Sequence, residues 1–159
     1  MTVVLLAELR QRLPAGARLL GVDLGTKTIG LAISDRDLTV GSPLETLRRA
    51  KFAQDAAALA KICTERRVGG LVLGLPVNMD GSEGARCQSV RQFARNLAEV
   101  AGLDLPVAFW DERLSTAAVE RLLVQEADMS RRRRAQVVDK MAAAYILQGA
   151  LDSLRHLPK

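Results

Sequence analysis

An uninterrupted apolar run, Val68-Gly-Gly-Leu-Val-Leu-Gly-Leu75, constrains the fold of this chain more than any other segment. Strands without polar alternation are typical of sheets that are covered on both faces, most often parallel sheets flanked by helices. Segments with a 3.6-residue apolar period lie on both sides of the run, as expected for such helices. Their stripes comprise Phe52, Ala56, Leu59, Ala60 and Cys63 before it, and Val90, Phe93, Ala94, Leu97 and Ala101 after it.

Three strand-like segments, residues 18–24, 28–35 and 39–48, precede the first of these helices. Their connections, Gly25-Thr26-Lys27 and Arg36-Asp37, are short enough to predict antiparallel neighbours. A further strand is predicted over residues 107–110. The order βββαβαβα therefore predicts a mixed α/β sheet with helices on both faces.

The remaining segments predict helices and one loop. The first thirteen residues favour a short helix, and Ser115 is a plausible N-cap for a helix carrying Ala118, Val119, Leu122 and Leu123. Residues 129–134 predict a polar, basic loop, and the last helix is expected over residues 135–154. With 159 residues and no linker or repeat, the chain is expected to form one domain, residues 1–159.

The rarity of histidine and cysteine excludes several chemistries. The chain has one histidine, His156, and two cysteines without CxxC spacing, Cys63 and Cys87, which we expect to be packing residues of helices. Ser-His-Asp triads and His-rich metal sites are thereby disfavoured, so catalysis would rest on carboxylates, lysine or arginine. No apolar run reaches the ~20 residues of a membrane span, and no signal peptide is evident, which predicts a cytoplasmic protein.

The charge of the chain favours a polyanionic partner. The formal net charge is +5 and the pI is about 9.8. Much of the excess is local, in Arg131, Arg132, Arg133, Arg134 and Lys140. Such a run is often only a solvated loop, but here we favour contact with the backbone of a nucleic acid.

Three acidic positions stand where a carboxylate is costly. Asp23 interrupts the first strand, and an unpaired buried carboxylate must pair, protonate or bind a metal. Asp111 and Glu112 follow the strand at residues 107–110, at an edge where ligands collect in open α/β sheets. Asp111 is equally compatible with a turn, so Glu112 is the better candidate, although the sequence leaves the choice open.

Asp139 is the third acidic position, on the last helix. It shares a face with Ala142, Ala143, Ile146 and Ala150, so it is expected to point inward. The small alanines would let this helix approach the sheet closely. Alternatively, Asp139 is only a first-turn acid favoured by the helix dipole, with Lys140 as its solvent-exposed partner.

Carboxylates from two strands and a helix, without histidine, are typical ligands of Mg²⁺ or Mn²⁺. Two such ions, ~4 Å apart, can activate water and stabilise the leaving oxygen in phosphodiester hydrolysis. We therefore interpret Asp23, Glu112 and Asp139 as both catalytic residues and metal ligands. In this interpretation, Asp23 is tolerated in a core strand because a cation neutralises its charge.

Four blocks in the chain resemble the YqgF family, also called RuvX. They are Gly21-Val-Asp-Leu-Gly25 through Ser34-Asp35; Gly74-Leu-Pro76 with Asp80-Gly81 and Gly84; Asp111-Glu-Arg-Leu-Ser-Thr116; and Asp139-Lys-Met-Ala-Ala143 with Ile146-Leu-Gln148. The resemblance spans residues 18–151. It implies an RNase H-like fold related to the RuvC resolvase, and action on the 5′ end of pre-16S rRNA or on Holliday junctions. The family's acidic positions fall on Asp23, Glu112 and Asp139.

Departures from the family pattern are small. Thr28 stands where arginine is common, which would remove one backbone contact. Ser115 stands where threonine is common, and either hydroxyl can cap a helix. Neither position is a presumed ligand.

Further side chains are candidates for nucleic-acid binding. Lys27 adds a positive charge near Asp23, and Arg113 would contact the scissile phosphate or orient the carboxylate beside it. In the Gly-rich loop after Leu75, Asn78 would donate to phosphate or base, whereas Ser82 is as well explained as an N-cap. Trp110 and Tyr145 favour the core over base stacking.

Other functions remain as alternatives. Asp23-Leu-Gly-Thr-Lys27 also resembles the phosphate loop of the actin, Hsp70 and sugar-kinase fold, but those proteins need two such domains to enclose ATP. A non-catalytic nucleic-acid-binding module is the second alternative, and the presence of all three acids argues against it. The substrate, structured RNA or branched DNA, is left open, and a junction resolvase would require a symmetric homodimer.

Overall fold

A computed structural model describes residues 2–114 and 131–157, with the side chains of residues 3–114 and 139–157. Six strands form one sheet: β1 (Thr2–Val3), β2 (Arg18–Leu24), β3 (Thr28–Ser34), β4 (Gly41–Arg48), β5 (Val68–Leu75) and β6 (Pro106–Asp111). The described helices are α1 (Leu6–Arg12), α2 (Phe52–Glu65), α3 (Ala85–Glu99), a 3₁₀ turn (Glu112–Leu114) and α4 (Arg131–Arg155).

The strand order is β1-β6-β5-β2-β3-β4, with β2 and β5 in the centre. β3 pairs antiparallel with both β2 and β4, whereas β2, β5 and β6 are parallel neighbours. The predicted mixed sheet is therefore confirmed. Because β2, β5 and β6 run in the same direction, their carboxyl ends meet at one edge.

Helices cover both faces of the sheet, and each face has its own apolar core. The α2/α3 face packs Leu59, Phe93 and Leu97 against the central strands. The α4 face, shared with α1, packs Ile146, Leu147 and Leu151 against the same strands. Every residue of β5 is buried, as the uninterrupted apolar run predicted.

Several predicted boundaries are wrong, each for a local reason. Thr2–Val3 is not helical, because it pairs in parallel with Pro106 and Val107 at the edge of the sheet. The third antiparallel strand begins at Gly41, since the Asp35 carboxylate accepts the amide hydrogens of Thr39 (2.7 Å) and Val40 (3.1 Å) and closes a turn there.

The basic run is helical where a loop was predicted. The last helix begins at Arg131 rather than at residue 135. Arginine has a high intrinsic helix propensity, which favours the helix here although four cations at its N-terminal end are opposed by the helix dipole. The helix predicted to follow Ser115 lies outside the described residues.

Both cysteines are buried in the α2/α3 face, which confirms that they are packing residues of helices. Burial raises the pKa of the Cys63 thiol to about 11. In the described part of the chain, no helix combines the length and apolarity required to cross a bilayer.

Candidate active site

Asp23 lies near the carboxyl end of the central strand β2 and is only 5% exposed. Its backbone partner on β3 is Gly30. Residues directly opposite each other in an antiparallel pair point to the same face. A Cβ on Gly30 would meet α4, so Asp23 also points toward α4 and not into the α2/α3 core.

Asp139 reaches the sheet because α4 crosses β3 at Gly30. A Cβ added to Gly30 would lie 2.1 Å from the main-chain oxygen of Asp139, so only glycine permits this approach. The Thr28 hydroxyl, on the same face of β3, donates a hydrogen bond to the Asp139 carboxylate. Thr28 therefore orients this side chain, a role that we did not predict from its departure from the family pattern.

The inward face predicted for α4 is confirmed. Ala142, Ala143, Ile146 and Ala150 are almost completely buried. Close packing also depends on the sheet, because a Cβ on Gly21 would lie 2.8 Å from the Leu147 Cβ. Small residues on both partners thus bring α4 against β2 and β3.

Glu112 occupies the first position after β6, in the 3₁₀ turn. Its Oε1 lies 2.7 Å from the point that a Cβ of Gly74 would occupy, so this carboxylate rests on the surface of β5. Gly74 itself pairs with Trp110. Val22 pairs with Leu73, which makes Gly74 the neighbour of Asp23 at the next position of the ladder.

One row of neighbouring positions thus crosses β6, β5, β2 and β3, namely Trp110, Gly74, Asp23 and Gly30. We call this row, together with the Glu112 and Asp139 side chains that lie over its glycines, the acidic row. Neighbouring strands are about 4.8 Å apart. Asp23 is flanked by two glycines, one beneath the Glu112 carboxylate and the other beneath Asp139. All three predicted acids are therefore brought to the same edge and face of the sheet.

The donor chemistry of the acidic row suits a hard divalent cation, since its acids offer only oxygen ligands. The glycines leave the floor free of side chains, so the carboxylates can lie against the sheet. Within residues 2–114 and 131–157, no group of three or more acidic, histidine or cysteine side chains is already arranged to hold a metal ion.

The neighbouring acid, Asp111, is paired with Arg113. Its carboxylate accepts hydrogen bonds from the backbone amide (2.9 Å) and the guanidinium (2.6 Å) of Arg113. These bonds hold the pKa of Asp111 below its usual value. Because Asp111 is one residue from Trp110 along the strand, it points to the opposite face from the acidic row. This geometry favours Glu112 as the acid of the site.

Arg113 fixes the Gly-rich loop, residues 76–84, beside the acidic row. Besides binding Asp111, its guanidinium donates to the main-chain oxygen of Met79 at 3.2 Å. We predicted contact with a phosphate or orientation of the neighbouring carboxylate for this side chain. In the structure its guanidinium contacts Asp111 and the main chain of the loop.

Inside this loop, the predicted N-cap is wrong. Gly84, not Ser82, occupies the N-cap of α3. The Ser82 hydroxyl instead donates to the Asp80 carboxylate at 2.6 Å, and the side-chain amide of Asn78 donates to the Ser82 hydroxyl at 3.1 Å. The bonds from Ser82 lower the pKa of Asp80. Asn78 is exposed, as a contact with a nucleic acid would require.

The predicted basic contacts lie in different places. Lys27 is exposed in the turn between β2 and β3. Lys140 is half-buried beside Asp139, and the backbone of Arg131–Arg134 forms the first turn of α4, while the side chains of these arginines lie outside the described set. Arg49, which we did not predict, braces the β2–β3 turn by donating from its guanidinium to Gly25 O at 2.8 Å.

Two cavities in the described part of the chain have none of the three acids in their lining. A cavity of about 400 Å³ lies at the opposite end of the sheet, near Pro14, Arg67 and Gly69. A second, of about 290 Å³, lies between β4 and α4.

Comparison with known sequences identifies one family. Residues 17–153 match the family described as "RuvX: Holliday junction resolvase". A protein of Roseobacter denitrificans named "Putative pre-16S rRNA nuclease" is 63% identical over 149 residues, which cover 94% of this chain and 91% of the relative. A protein of Phenylobacterium zucineum with the same name is 61% identical, covering 99% of this chain and 100% of the relative.

Solved structures confirm the predicted RNase H-like fold. RuvC of T. thermophilus, solved in complex with a Holliday junction substrate, superimposes with a TM-score of 0.55 at 14% identity, covering 88% of this chain and 96% of RuvC. The yeast mitochondrial Holliday junction resolvase Ydc2 gives a TM-score of 0.50 at 12% identity, covering 93% of this chain and 84% of that protein. At these identities, the likeness concerns the fold alone.

Proposed function

This chain belongs to the RuvX family, and on that premise we propose that it is a nuclease that hydrolyses phosphodiester bonds in structured RNA, with the 5′ end of pre-16S rRNA as its substrate. The observation that carries the proposal is the acidic row, in which Asp23 lies between two glycines covered by Glu112 and Asp139. The names of the relatives support RNA as the substrate.

We further propose that Asp23, Glu112 and Asp139 hold two Mg²⁺ or Mn²⁺ ions. Such ions would supply an activated water and neutralise the leaving oxygen. The chain itself contributes the positions of the ligands: Thr28 orients Asp139, and the glycine floor lets Glu112 lie beside Asp23. The buried position of Asp23 keeps bulk water from screening its charge.

The positive charge of the protein supports binding of the phosphate backbone. Lys27, Asn78, Arg113 and Lys140 lie on the elements that surround the acidic row, and Arg131–Arg134 begin the helix that carries Asp139. Each phosphate neutralised in binding releases condensed counterions, so affinity should fall steeply as the salt concentration rises.

The decisive test is to replace Asp23 by asparagine, with Asp55→Asn as the matched control. Both aspartates are buried, at 5% and 4% exposure, but the Asp55 carboxylate accepts the Ala50 amide at 3.0 Å, at the start of α2 on the other face. We expect Asp23→Asn to lower the rate of RNA cleavage at least ~100-fold, corresponding to several kcal/mol of lost charge stabilisation.

In the control, Asp55→Asn is expected to lower the free energy of unfolding by about 1–3 kcal/mol, because it weakens a buried hydrogen bond, and to preserve cleavage where the protein is folded. Addition of Mn²⁺ should raise the melting temperature of the wild type and not that of Asp23→Asn. A folded Asp23→Asn protein that cleaves at the wild-type rate would refute the proposed site.

A junction resolvase is the second candidate function, favoured by the description of the family and by the RuvC-like fold. Cutting two strands of a four-way junction symmetrically requires two facing active sites, hence a homodimer. Parallel cleavage of a precursor-like RNA hairpin and a four-way DNA junction, with the mass of the protein measured in solution, separates the candidates. Preference for the junction by a dimer would favour the resolvase.

A further inference from the structure

We propose that Met79 is a substrate-positioning residue, whose side chain packs against a nucleobase that is unpaired beside the scissile phosphate. This inference rests on the proposed nuclease function and adds the structural class of its substrate. It is carried by the rigidity of the Gly-rich loop, by the attachment of that loop to the site, and by the exposure of Met79.

The Gly-rich loop is held in one conformation by its own hydrogen bonds. The backbone amide of Asn78 donates to the main-chain oxygen of Ser82, and the backbone amide of Gly81 donates to the main-chain oxygen of Asn78, both at 2.9 Å. The Asp80 carboxylate closes the turn by accepting the backbone amide of Ser82 at 2.9 Å. Met79 lies within this closed turn, so little conformational entropy remains to be lost when the loop meets a ligand.

The loop is also attached to the end of β6. The Arg113 guanidinium donates to Met79 O and is itself paired with the Asp111 carboxylate at 2.6 Å. Arg113 directly follows Glu112, whose carboxylate lies over the acidic row. The backbone of Met79 is therefore tied to the residue that follows Glu112, at the edge of the sheet where the carboxyl ends of β5 and β6 meet.

The side chain of Met79 is 88% exposed, the highest value among the exposed large apolar side chains in the described part of the chain. Leu114, which follows Arg113, is 68% exposed. Isolated exposed apolar residues are ordinary, but this one lies in a hydrogen-bonded loop that is tied to the residue after Glu112. A phosphate offers no complementary surface for a thioether, whereas the face of a base does.

The chemistry of methionine fits such a contact. Its polarizable sulfur packs favourably against aromatic rings, and methionine is among the apolar side chains that proteins insert between base steps. A base stacked within a continuous duplex has no free face. Met79 should therefore favour a nucleotide that is already unstacked, at a bulge, a strand end or a branch point.

The test uses two RNA hairpins that differ only in a bulged 2-aminopurine, a fluorescent base, beside the cleavage site. Binding is measured with Asp23→Asn protein, so that cleavage does not interfere, with and without Met79→Ala. We expect Met79→Ala to weaken binding of the bulged hairpin about tenfold, because the apolar surface that the methionine side chain buries against the base is lost. The fluorescence change of 2-aminopurine should be lost with it.

Two control variants and the salt dependence of binding test whether the contact between Met79 and the base is apolar. Val100, 70% exposed at the end of α3, offers a matched truncation, and Val100→Ala should bind both hairpins as the parent does. Met79→Leu should retain the preference for the bulge. The slope of affinity against salt should be the same in the parent and in Met79→Ala, because no phosphate contact is removed.

Equal binding of the bulged hairpin by the parent and by Met79→Ala would overturn the inference, as would a reduced salt slope in Met79→Ala. These results are independent of the cleavage assay. If Asp23→Asn cleaved RNA normally, binding would be measured on hairpins with a non-hydrolysable linkage at the cleavage site, and loss of the bulge preference in Met79→Ala would leave the base contact standing while the proposed catalytic site fails.

Discussion

The two faces of the sheet are packed by opposite means. On the α2/α3 face, large side chains such as Leu59, Phe93 and Leu97 fill the space between helix and strand. On the α4 face, glycines on the strands let the helix backbone come so close that a Cβ on Gly30 would overlap Asp139. Both faces have a buried apolar core, and Asp23 and Asp139 lie on the second face.

This difference shows how a sheet can hold a charged site within its core. Large side chains hold helix and strand apart and exclude water, which makes a carboxylate between them costly. On the α4 face, the helix backbone instead meets the sheet directly at Gly30. Asp139 lies at this contact, and Asp23 is the strand partner of Gly30.

The largest effect on stability should follow from adding one methyl group to the α4 face. In Gly30→Ala the new Cβ would overlap main-chain atoms, which cannot rotate away, so α4 must shift. We expect the free energy of unfolding to fall by more than about 3 kcal/mol, beyond the usual cost of overpacking, as measured by urea denaturation.

The matched control for this change is Gly84→Ala. A Cβ at Gly84 would lie 3.6 Å from the Asn78 side-chain nitrogen, an ordinary contact, and its φ is −94°. Because glycine is preferred over alanine at an N-cap, we expect Gly84→Ala to lower the free energy of unfolding by about 1 kcal/mol. Equal destabilisation by the two variants would contradict the close backbone approach at Gly30.

A smaller effect concerns the accessibility of the α2/α3 core. Cys63 is buried there and its pKa is raised to about 11 by desolvation, so little thiolate exists near neutral pH. We expect alkylation of Cys63 at pH 8 to be at least ~100-fold slower in the folded than in the unfolded protein. Mass spectrometry of labelled peptides measures this, and rapid labelling without denaturant would show that this face is open.

The smallest effect should come from removing one methyl group from the same core. Ile62 lies at the C-terminal end of α2, 9% exposed, and Ile62→Val should lower the free energy of unfolding by about 1 kcal/mol. The contrast with Gly30→Ala compares one methyl removed with one methyl added. A loss above 3 kcal/mol in Ile62→Val would mean that both faces are equally intolerant.

Much of this architecture follows from local patterns in the sequence. β2 and β5 were predicted with their observed bounds, because Gly25 and Pro76 directly follow the two strands and both strands are mainly apolar. The inward direction of Asp139 followed from helical spacing alone. Such features depend on residues close in sequence, where periodicity determines which side faces the core.

Other features depend on contacts between distant segments and escaped prediction. Thr2–Val3 becomes a strand only because β6 is present beside it. Gly30 and Gly74 leave space for Asp139 and Glu112, which lie above them. The sequence does not show which residue lies over a glycine in a strand. The Ser82 hydroxyl had two competing partners within reach, and the sequence does not rank them.

The attachment of Asp139 to α4 has a consequence for the newly made protein. Translation produces β2 with Asp23 early and α4 with Asp139 late. In the mechanism proposed above, a chain that lacks α4 also lacks one of the three acids. A nascent chain would therefore complete the proposed site only after α4 has been made and has docked on the sheet.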